Sequence, residues 1–318
     1  MRIVRPRRLA AALPATALAA SALSGGPLGP AAATAATQAS TAATPGAAAG
    51  PAQVRKELRR LEASFRGRIG AYAVDTATGR TVTYRAGERF PMLSTFKAPL
   101  CAAVLHRART AAPGLMNRLV RWTAADMKPN SPVTEKHVKT GLTVSRLCEA
   151  AVTMSDGTAS NLLLDRIGGP AGLTGFFRSL KDPVSRMDRR HPELNDWTPK
   201  DVRDTTTPAA MAGDLRALTT GDALHAKDRR QLIAWLLASK TGAGRIKAGL
   251  PGTWTIAHKT GTNSDGFGGG NDIAVIWPVK GAPPIIMAVY TNRTRGLPTD
   301  EAAIAKTATL LARGLGRL

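Results

Sequence analysis

Three short polar motifs occur in a fixed order along this 318-residue chain. They are Ser94-Thr95-Phe96-Lys97, Ser155-Asp156-Gly157 and Lys259-Thr260-Gly261. Each motif alone occurs by chance in many proteins. Together they describe a serine acyl-transfer site in which a lysine replaces the usual histidine as the activating base. Such a site requires a fold that brings three distant segments of the chain to one cleft.

The first motif supplies a candidate nucleophile and its activating group. If the segment is helical, the spacing of Ser94 and Lys97 places both side chains on one face, one turn apart. At the start of a helix, Ser94 would also lie where backbone N–H groups favour developing negative charge. Lys97 can accept the serine proton only if its pKa is lowered or a water carries the proton. Taken alone, the motif also fits a capping serine followed by a surface lysine.

The second motif offers a proton relay. Ser155 follows the apolar run 150–154, and its hydroxyl could pass a proton to a leaving nitrogen. A serine that merely caps a helix end is the alternative for this motif in isolation.

The third motif offers a substrate-binding edge. Lys259 lies on a predicted strand and could hold a substrate carboxylate, while Gly261 would permit close backbone approach. The N–H of Thr262 could pair with that of Ser94 as an oxyanion hole. The alternative for Lys259 is an exposed lysine on an edge strand.

The hydrophobic pattern predicts a fold of the α/β class, α+β in type. Both groups of strands join most simply into one antiparallel sheet, and the helical block forms a second lobe. The predicted elements are a helix over 54–65, strands over 68–75 and 81–84, a helix over 95–109, a helical block over 110–240, strands over 253–260, 272–278 and 284–291, and a helix over 299–315.

The N-terminus predicts export. Four arginines in the first eight residues precede an apolar stretch over 9–23 and then small residues, the pattern of a secretory signal peptide too short for a membrane span. We assign residues 1–30 to the signal, 31–52 to a disordered Ala/Thr/Pro-rich tether, and 53–318 to a catalytic domain whose helical lobe spans about 94–240. The pattern leaves the general and twin-arginine export routes open. The expected location is extracytoplasmic.

The formal net charge of +22 is the unusual bulk property. A positive field attracts anionic carboxylates, and also wall polymers or nucleic acid. We interpret this excess of positive charge as a feature of an arginine-rich chain that keeps the protein soluble. We expect a small-molecule substrate, with no nucleic-acid partner and no stable membrane insertion. We also expect a monomer.

The cysteine count is even, since the chain contains only Cys101 and Cys148. Export and an even count favour a disulfide over a metal site, with two buried free thiols as the alternative. The five histidines show no metal-ligand spacing, so no metal and no cofactor is expected.

Over residues 52–316 the chain resembles the class A serine β-lactamases. The three motifs carry this resemblance, together with the stretches 131–137, 152–156, 161–164, 204–208 and 272–277. It implies a β-lactamase/transpeptidase-like fold, an antiparallel sheet flanked by helices with an all-helical lobe.

The resemblance also implies a role for individual residues. Ser94 would be the acylated nucleophile with Lys97 as its partner, Ser155 would relay the proton, and Lys259 with Thr260 would bind the substrate carboxylate. The other implied assignments are Arg245 as a second carboxylate-binding group, Asn195 and Asn130 as substrate contacts beside Gly261 and Thr262, and a bridge between Cys101 and Cys148.

The main departure from the family pattern lies in the loop that supplies the base for deacylation. The family usually reads Glu-Pro-Glu-Leu-Asn there, whereas this chain reads His191-Pro-Glu-Leu-Asn195. His191 therefore occupies the position of the catalytic base, unless the loop slips and supplies Glu193 instead. A neutral imidazole can accept a proton near pH 7, but its different shape would move the hydrolytic water.

Two further departures lie outside this loop. Gly157 replaces a usual asparagine, and Asn130 replaces a usual aromatic residue.

These observations predict an exported serine β-lactamase that opens the β-lactam ring through an acyl-enzyme on Ser94, with slow deacylation as an expected consequence of His191. Two alternatives remain open. The chain could acylate and stall as a β-lactam trap or sensor, or it could act as an acyl transferase or peptidase on wall peptides.

Overall fold

The structure, a computed structural model, describes residues 50–263 and 266–318. The predicted signal peptide and residues 31–49 of the predicted tether lie outside the described residues. Within them the helices are α1 (Pro51–Phe65), α2 (Lys97–Thr110), α3 (Val144–Thr153), α4 (Gly157–Asp165), α5 (Gly169–Ser179), α6 (Pro208–Thr219), α7 (Ala226–Leu237) and α8 (Glu301–Gly314). The strands are β1 (Gly67–Asp75), β2 (Thr81–Tyr84), β3 (Phe90–Pro91), β4 (Leu119–Val120), β5 (Leu142–Thr143), β6 (Thr205–Thr206), β7 (Thr255–Asn263), β8 (Gly269–Trp277) and β9 (Ile285–Arg293).

The main sheet joins strands from both ends of the described chain, as predicted. Its order is β2-β1-β9-β8-β7, and every neighbouring pair is antiparallel. The predicted strands over 68–75 and 81–84 pair as a hairpin, in which Val74 lies opposite Thr81 across the turn. Strands β8 and β9 are buried on both faces, because α1 and α8 cover one face and the helical lobe covers the other.

The helical lobe surrounds α2, whose residues 97–105 are all buried. A helix that is buried on every side needs apolar or small residues around its whole circumference, and the run from Ala98 to Leu105 supplies them. The predicted helical block is present, but two short strand pairs interrupt it or border it. These are β3 with β6 and β4 with β5, pairings of two residues each that leave no periodic signal in the sequence.

The predicted disulfide is absent. Cys101 on α2 and Cys148 on α3 are free thiols with no exposed surface. The Cys101 thiol donates to the backbone carbonyl of Cys148 at 3.6 Å. Burial, and then the neighbouring Cys101, raise the pKa of the Cys148 thiol well above its usual range, so that it persists as a neutral thiol and packs as a small apolar group.

A buried acid pair lies beneath the helical lobe. Asp214 on α6 is 3% exposed, and one of its oxygens, Oδ2, has no hydrogen-bond partner among the residues that the structure describes. Asp182, 5% exposed, accepts hydrogen bonds from the backbone N–H groups of Val184 and Ser185. Burial, and then the charge of Asp182, raise the pKa of Asp214 to about 9. The folded protein therefore keeps a proton on Asp214 at neutral pH.

We predict that Asp214→Asn makes the protein more stable at neutral and alkaline pH. The folded pKa of Asp214 lies above its unfolded value, so the stability associated with this proton is complete below about pH 4 and declines toward pH 9. The decline is at most about 1.4 kcal/mol per pH unit for one proton. Urea unfolding at pH 5, 6, 7 and 8 should show a gain for the variant that grows with pH. The exposed Asp222→Asn is the control, and a gain that is constant across pH would contradict the prediction.

Candidate active site

The turn that carries Ser94 is built to expose one hydroxyl beside a buried lysine. A short 3-10 helix, Leu93–Phe96, leads directly into α2, which begins at Lys97. Leu93 has a φ of +48°, a left-handed conformation that costs a non-glycine residue energy and persists where the surroundings enforce it. Ser94 is half-buried at the cleft, whereas Lys97 is 1% exposed.

Hydrogen bonds hold this turn in place from beneath. The Thr95 hydroxyl bonds to the Met92 carbonyl at 2.6 Å and to the Tyr290 hydroxyl at 2.9 Å. Asn271 on β8 donates to the carbonyls of Pro91 and Met92. The turn is therefore fastened to the centre of the main sheet.

The Ser155 hydroxyl lies between two lysines, as the relay role requires. Lys97 Nζ donates to the Ser155 carbonyl at 2.6 Å and lies 3.4 Å from Ser155 Oγ. Lys259 Nζ donates to the same Oγ at 3.1 Å and to the Thr260 carbonyl at 2.9 Å. Ser155 has a φ of +58°, so its backbone is also held in the left-handed region.

Burial controls the charge of both lysines. Removal from water lowers the pKa of Lys97 to about 8, although the nearby Asp156 carboxylate opposes the shift. Burial also lowers the pKa of Lys259 well below its usual range, and the adjacent Lys97 lowers it further. Lys97 can therefore supply a neutral amine at mildly alkaline pH, which is what a lysine base needs.

Strand β7 forms the other wall of the cleft. It lies at the edge of the main sheet, and Gly261 brings its backbone against the nucleophile turn. A Cβ atom at position 261 would lie 2.9 Å from Leu93 Cβ and 3.1 Å from the Ser94 nitrogen. The close approach predicted for this glycine is present. The exposed Thr262 follows it at the cleft.

Arg245 lies at the cleft, and four of its five N–H donors bond to the protein. Its Nε donates to Glu301 at 2.9 Å, and its Nη2 donates to the Thr262 hydroxyl at 2.6 Å. Its Nη1 donates to the carbonyls of Gly261 and Asn271 at 2.7 and 2.8 Å. Arg245 is 3% exposed and braces the β7–β8 edge. These bonds use four of the five guanidinium N–H donors, so the second Nη2 N–H is the one left for the expected contact with a substrate carboxylate.

The loop after α5 places His191 in the cleft. The ion pair between Arg189 and Asp204, 2.6 Å long, closes this loop. The Asn161 side chain accepts from the His191 N–H at 3.0 Å and donates to the His191 carbonyl at 2.7 Å. Glu193 is exposed and does not line the cleft that holds Ser94. The geometry therefore favours His191 over a slipped loop that supplies Glu193.

The His191 ring is buried, and its surroundings favour the unprotonated imidazole. It is 5% exposed, and Nε2 lies 2.9 Å from the Pro129 carbonyl oxygen. Burial, and then the nearby Lys97, lower the pKa of His191 below its ordinary value. A neutral imidazole is a competent proton acceptor at neutral pH.

Asp156 is a supporting residue whose role the sequence reasoning did not assign. It is fully buried and caps α4 by accepting from the Ala159 N–H at 2.8 Å. It also accepts from the backbone N–H groups of Val133 and Thr134 and from the Thr134 hydroxyl. The carboxylate thereby ties the loop that carries Asn130 to α4. An aspartate just before a helix is an N-cap signal, so this part of its role was readable from the sequence.

These groups enclose a cleft of about 540 Å³. Asn130 and Asn195 lie on its rim, as predicted, and Asn195 accepts a hydrogen bond from Asn263 through its backbone carbonyl. In the described part of the chain, no group of three or more His, Cys, Asp or Glu side chains is arranged to hold a metal ion. No helix among residues 50–263 and 266–318 has the length and apolarity that a membrane crossing requires.

Comparison with known proteins places this geometry in a family. A model of the β-lactamase enzyme family matches residues 53–315. β-Lactamase AST-1 of Nocardia asteroides is 48% identical over 256 residues, which cover 80% of this chain and 82% of that protein. The carbapenem-hydrolyzing β-lactamase KPC of Klebsiella oxytoca is 47% identical over 264 residues, 83% of this chain and 89% of that protein.

Solved structures agree. A β-lactamase from Streptosporangium roseum matches with a TM-score of 0.83 and 66% identity, covering 84% of this chain and 100% of that one. The class A β-lactamase of the last common ancestor of Gram-negative bacteria matches with a TM-score of 0.77 and 50% identity, covering 82% and 99%. The chain belongs to the class A serine β-lactamase family.

Proposed function

We propose that the enzyme hydrolyses carboxylate-bearing β-lactams in two steps through an ester on Ser94. The observation that carries the proposal is the placement of the Ser155 hydroxyl between Lys97 and Lys259, in the cleft that also contains Ser94. This arrangement supplies a nucleophile, a route for its proton and, in the Lys259 amine, a hydrogen-bond donor for a carboxylate.

The acylation step moves one proton from the nucleophile to the leaving nitrogen. Lys97 in its neutral form takes the Ser94 proton as Oγ bonds to the β-lactam carbonyl carbon. The lactam C–N bond then breaks, and the nitrogen receives a proton through Ser155. Lys259 and Thr260 hold the substrate carboxylate, and the N–H groups of Ser94 and Thr262 stabilise the developing oxyanion.

The deacylation step needs a base for water, and we assign this role to His191, which lines the same cleft as Ser94. A water bonds to the ester carbonyl carbon and gives its proton to the imidazole, and the ester C–O bond breaks as Ser94 Oγ regains a proton. The imidazole replaces the carboxylate of the family pattern, so the water sits less favourably and this step is slow. If the step stalls completely, the protein is a β-lactam trap, a second function that the same substitution supports.

We further propose that the enzyme works outside the cytoplasm. The support is the basic and apolar N-terminal segment, which has the composition of a cleaved export signal.

We predict that Ser94→Ala abolishes covalent labelling by penicillin. Mass spectrometry of the intact protein after brief exposure should show one adduct on the wild type and none on the variant. Ser239→Ala, a change of the same residue type away from the motif, should keep the adduct. An adduct that persists in Ser94→Ala would place the nucleophile elsewhere.

We predict a burst of one product per enzyme, followed by slow turnover with separate pH dependences. The burst rate should rise with pH through a midpoint of about 8, where the buried Lys97 loses its proton. The steady rate should rise through a midpoint below 6.5 and then level, since burial lowers the pKa of His191 from that value. Stopped-flow assays with a chromogenic cephalosporin from pH 5 to 9 separate the two phases.

Variants of His191 complete this test. His191→Ala should lower the steady rate at least tenfold, equivalent to about 1.4 kcal/mol, and leave the burst intact. His191→Glu should raise the steady rate. Full turnover without a burst, unchanged in His191→Ala, would show that another group positions the water.

A further inference from the structure

Gly157, the first residue of α4, is a glycine that its backbone does not require. It is absent from the described residues with positive φ, so an L-amino acid could adopt its conformation. Glycine also has a low helix propensity. The reason for a glycine here must therefore be space.

That space is occupied by the His191 imidazole. A Cβ atom at position 157 would lie 2.5 Å from His191 Cδ2, 2.7 Å from His191 Nε2 and 2.7 Å from the Pro129 carbonyl oxygen. Contacts below 3.0 Å force a displacement. Because the third contact is backbone, rotation of the imidazole alone would not relieve all of the overlap.

Hydrogen bonds fix the imidazole over this gap. Its Nε2 lies 2.9 Å from the Pro129 oxygen, and the Gly157 N–H donates to the Asn130 carbonyl at 2.9 Å, which locks that loop to α4. The Asn161 side chain holds both backbone polar groups of His191. The ring is thus enclosed by α4 on one side and by the Pro129–Asn130 segment on the other.

This enclosure selects one tautomer. A carbonyl oxygen only accepts hydrogen bonds, so the contact with Pro129 requires the hydrogen on Nε2. In the neutral ring, Nδ1 then carries the lone pair, and it makes no hydrogen bond to any other residue of the described chain. The charged groups that face the ring are Lys97, Glu193 and Asp156, and burial together with Lys97 favours the neutral form.

We propose that Gly157 is a positioning residue for deacylation, because its missing side chain is the seat that holds His191 with Nδ1 as the proton acceptor. This inference rests on the proposed function. In the step, the attacking water forms a bond to the ester carbonyl carbon and its proton goes to Nδ1. The ester C–O bond breaks, and Nδ1 returns the proton to the leaving Ser94 oxygen. Throughout, Nε2–H stays on the Pro129 carbonyl.

The kinetic test is Gly157→Ala. We expect the deacylation rate to fall at least tenfold while the burst rate changes less than threefold, so that the penicillin adduct accumulates. The matched control is Gly175→Ala, a helical glycine with no atom within 4 Å of the added Cβ, which should leave both rates unchanged. An unaffected deacylation rate in Gly157→Ala would overturn the proposal.

A double-mutant cycle separates the seat from general damage to the cleft. In the His191→Ala background the ring is gone and only the overlap with the Pro129 oxygen remains, so adding Gly157→Ala should lower deacylation by a clearly smaller factor than it does in the wild type. An equal loss in both backgrounds would show that position 157 acts independently of His191 and would overturn the proposal.

The tautomer of His191 can be measured directly in the unsubstituted protein, without an activity assay. Nitrogen-15 NMR of the His191 ring should show the tautomer with hydrogen on Nε2 and an unprotonated Nδ1. A ring with its hydrogen on Nδ1 would overturn the proposal. If the chain fails to acylate, the same adduct experiment reveals the failure of the proposed function, while the NMR result still decides whether the seat exists.

Discussion

The burial of two lysines around one serine hydroxyl is the constraint on which the rest of the site depends. An ammonium group removed from water is costly unless it is paired or loses its proton. Lys97 lies on the innermost helix of the helical lobe and Lys259 on an edge strand of the main sheet, so the two parts of the fold deliver them from opposite sides. Ser155 accepts from both. Removal from water destabilises the charged form of Lys97 and lowers its pKa to about 8, so that Lys97 can accept a proton.

A network of backbone contacts keeps these groups in place. Asp156 binds the 130–134 loop to α4, and its charge opposes the effect of burial on Lys97. Arg245 ties β7 to β8 at the level of Gly261. Left-handed backbone at Leu93 and Ser155 shows that the cleft is held by its surroundings, since local preference alone would not select this conformation.

The sequence predicted the sheet, the long helices and the three motifs because each has a local signal in periodicity or spacing. It did not predict which hydrogen-bond partners the polar side chains have in the folded protein. Arg245 donates hydrogen bonds to four protein acceptors. These acceptors come from distant segments of the chain that meet only in the folded protein. The predicted bridge between Cys101 and Cys148 is not formed in this structure, which shows two neighbouring buried thiols instead. The space beside Gly157 likewise exists only after folding.

The substitution at His191 links both half-reactions through charge. A carboxylate at this position would favour the protonated form of nearby Lys97, because an opposite charge stabilises an ammonium. A neutral imidazole offers no such stabilisation, and burial lowers the pKa of Lys97 to about 8 against the opposing charge of Asp156. Lys97 in turn helps keep His191 unprotonated. The charge of Lys97 thus affects the base for deacylation, whereas the neutral imidazole leaves the pKa of Lys97 to burial and to Asp156.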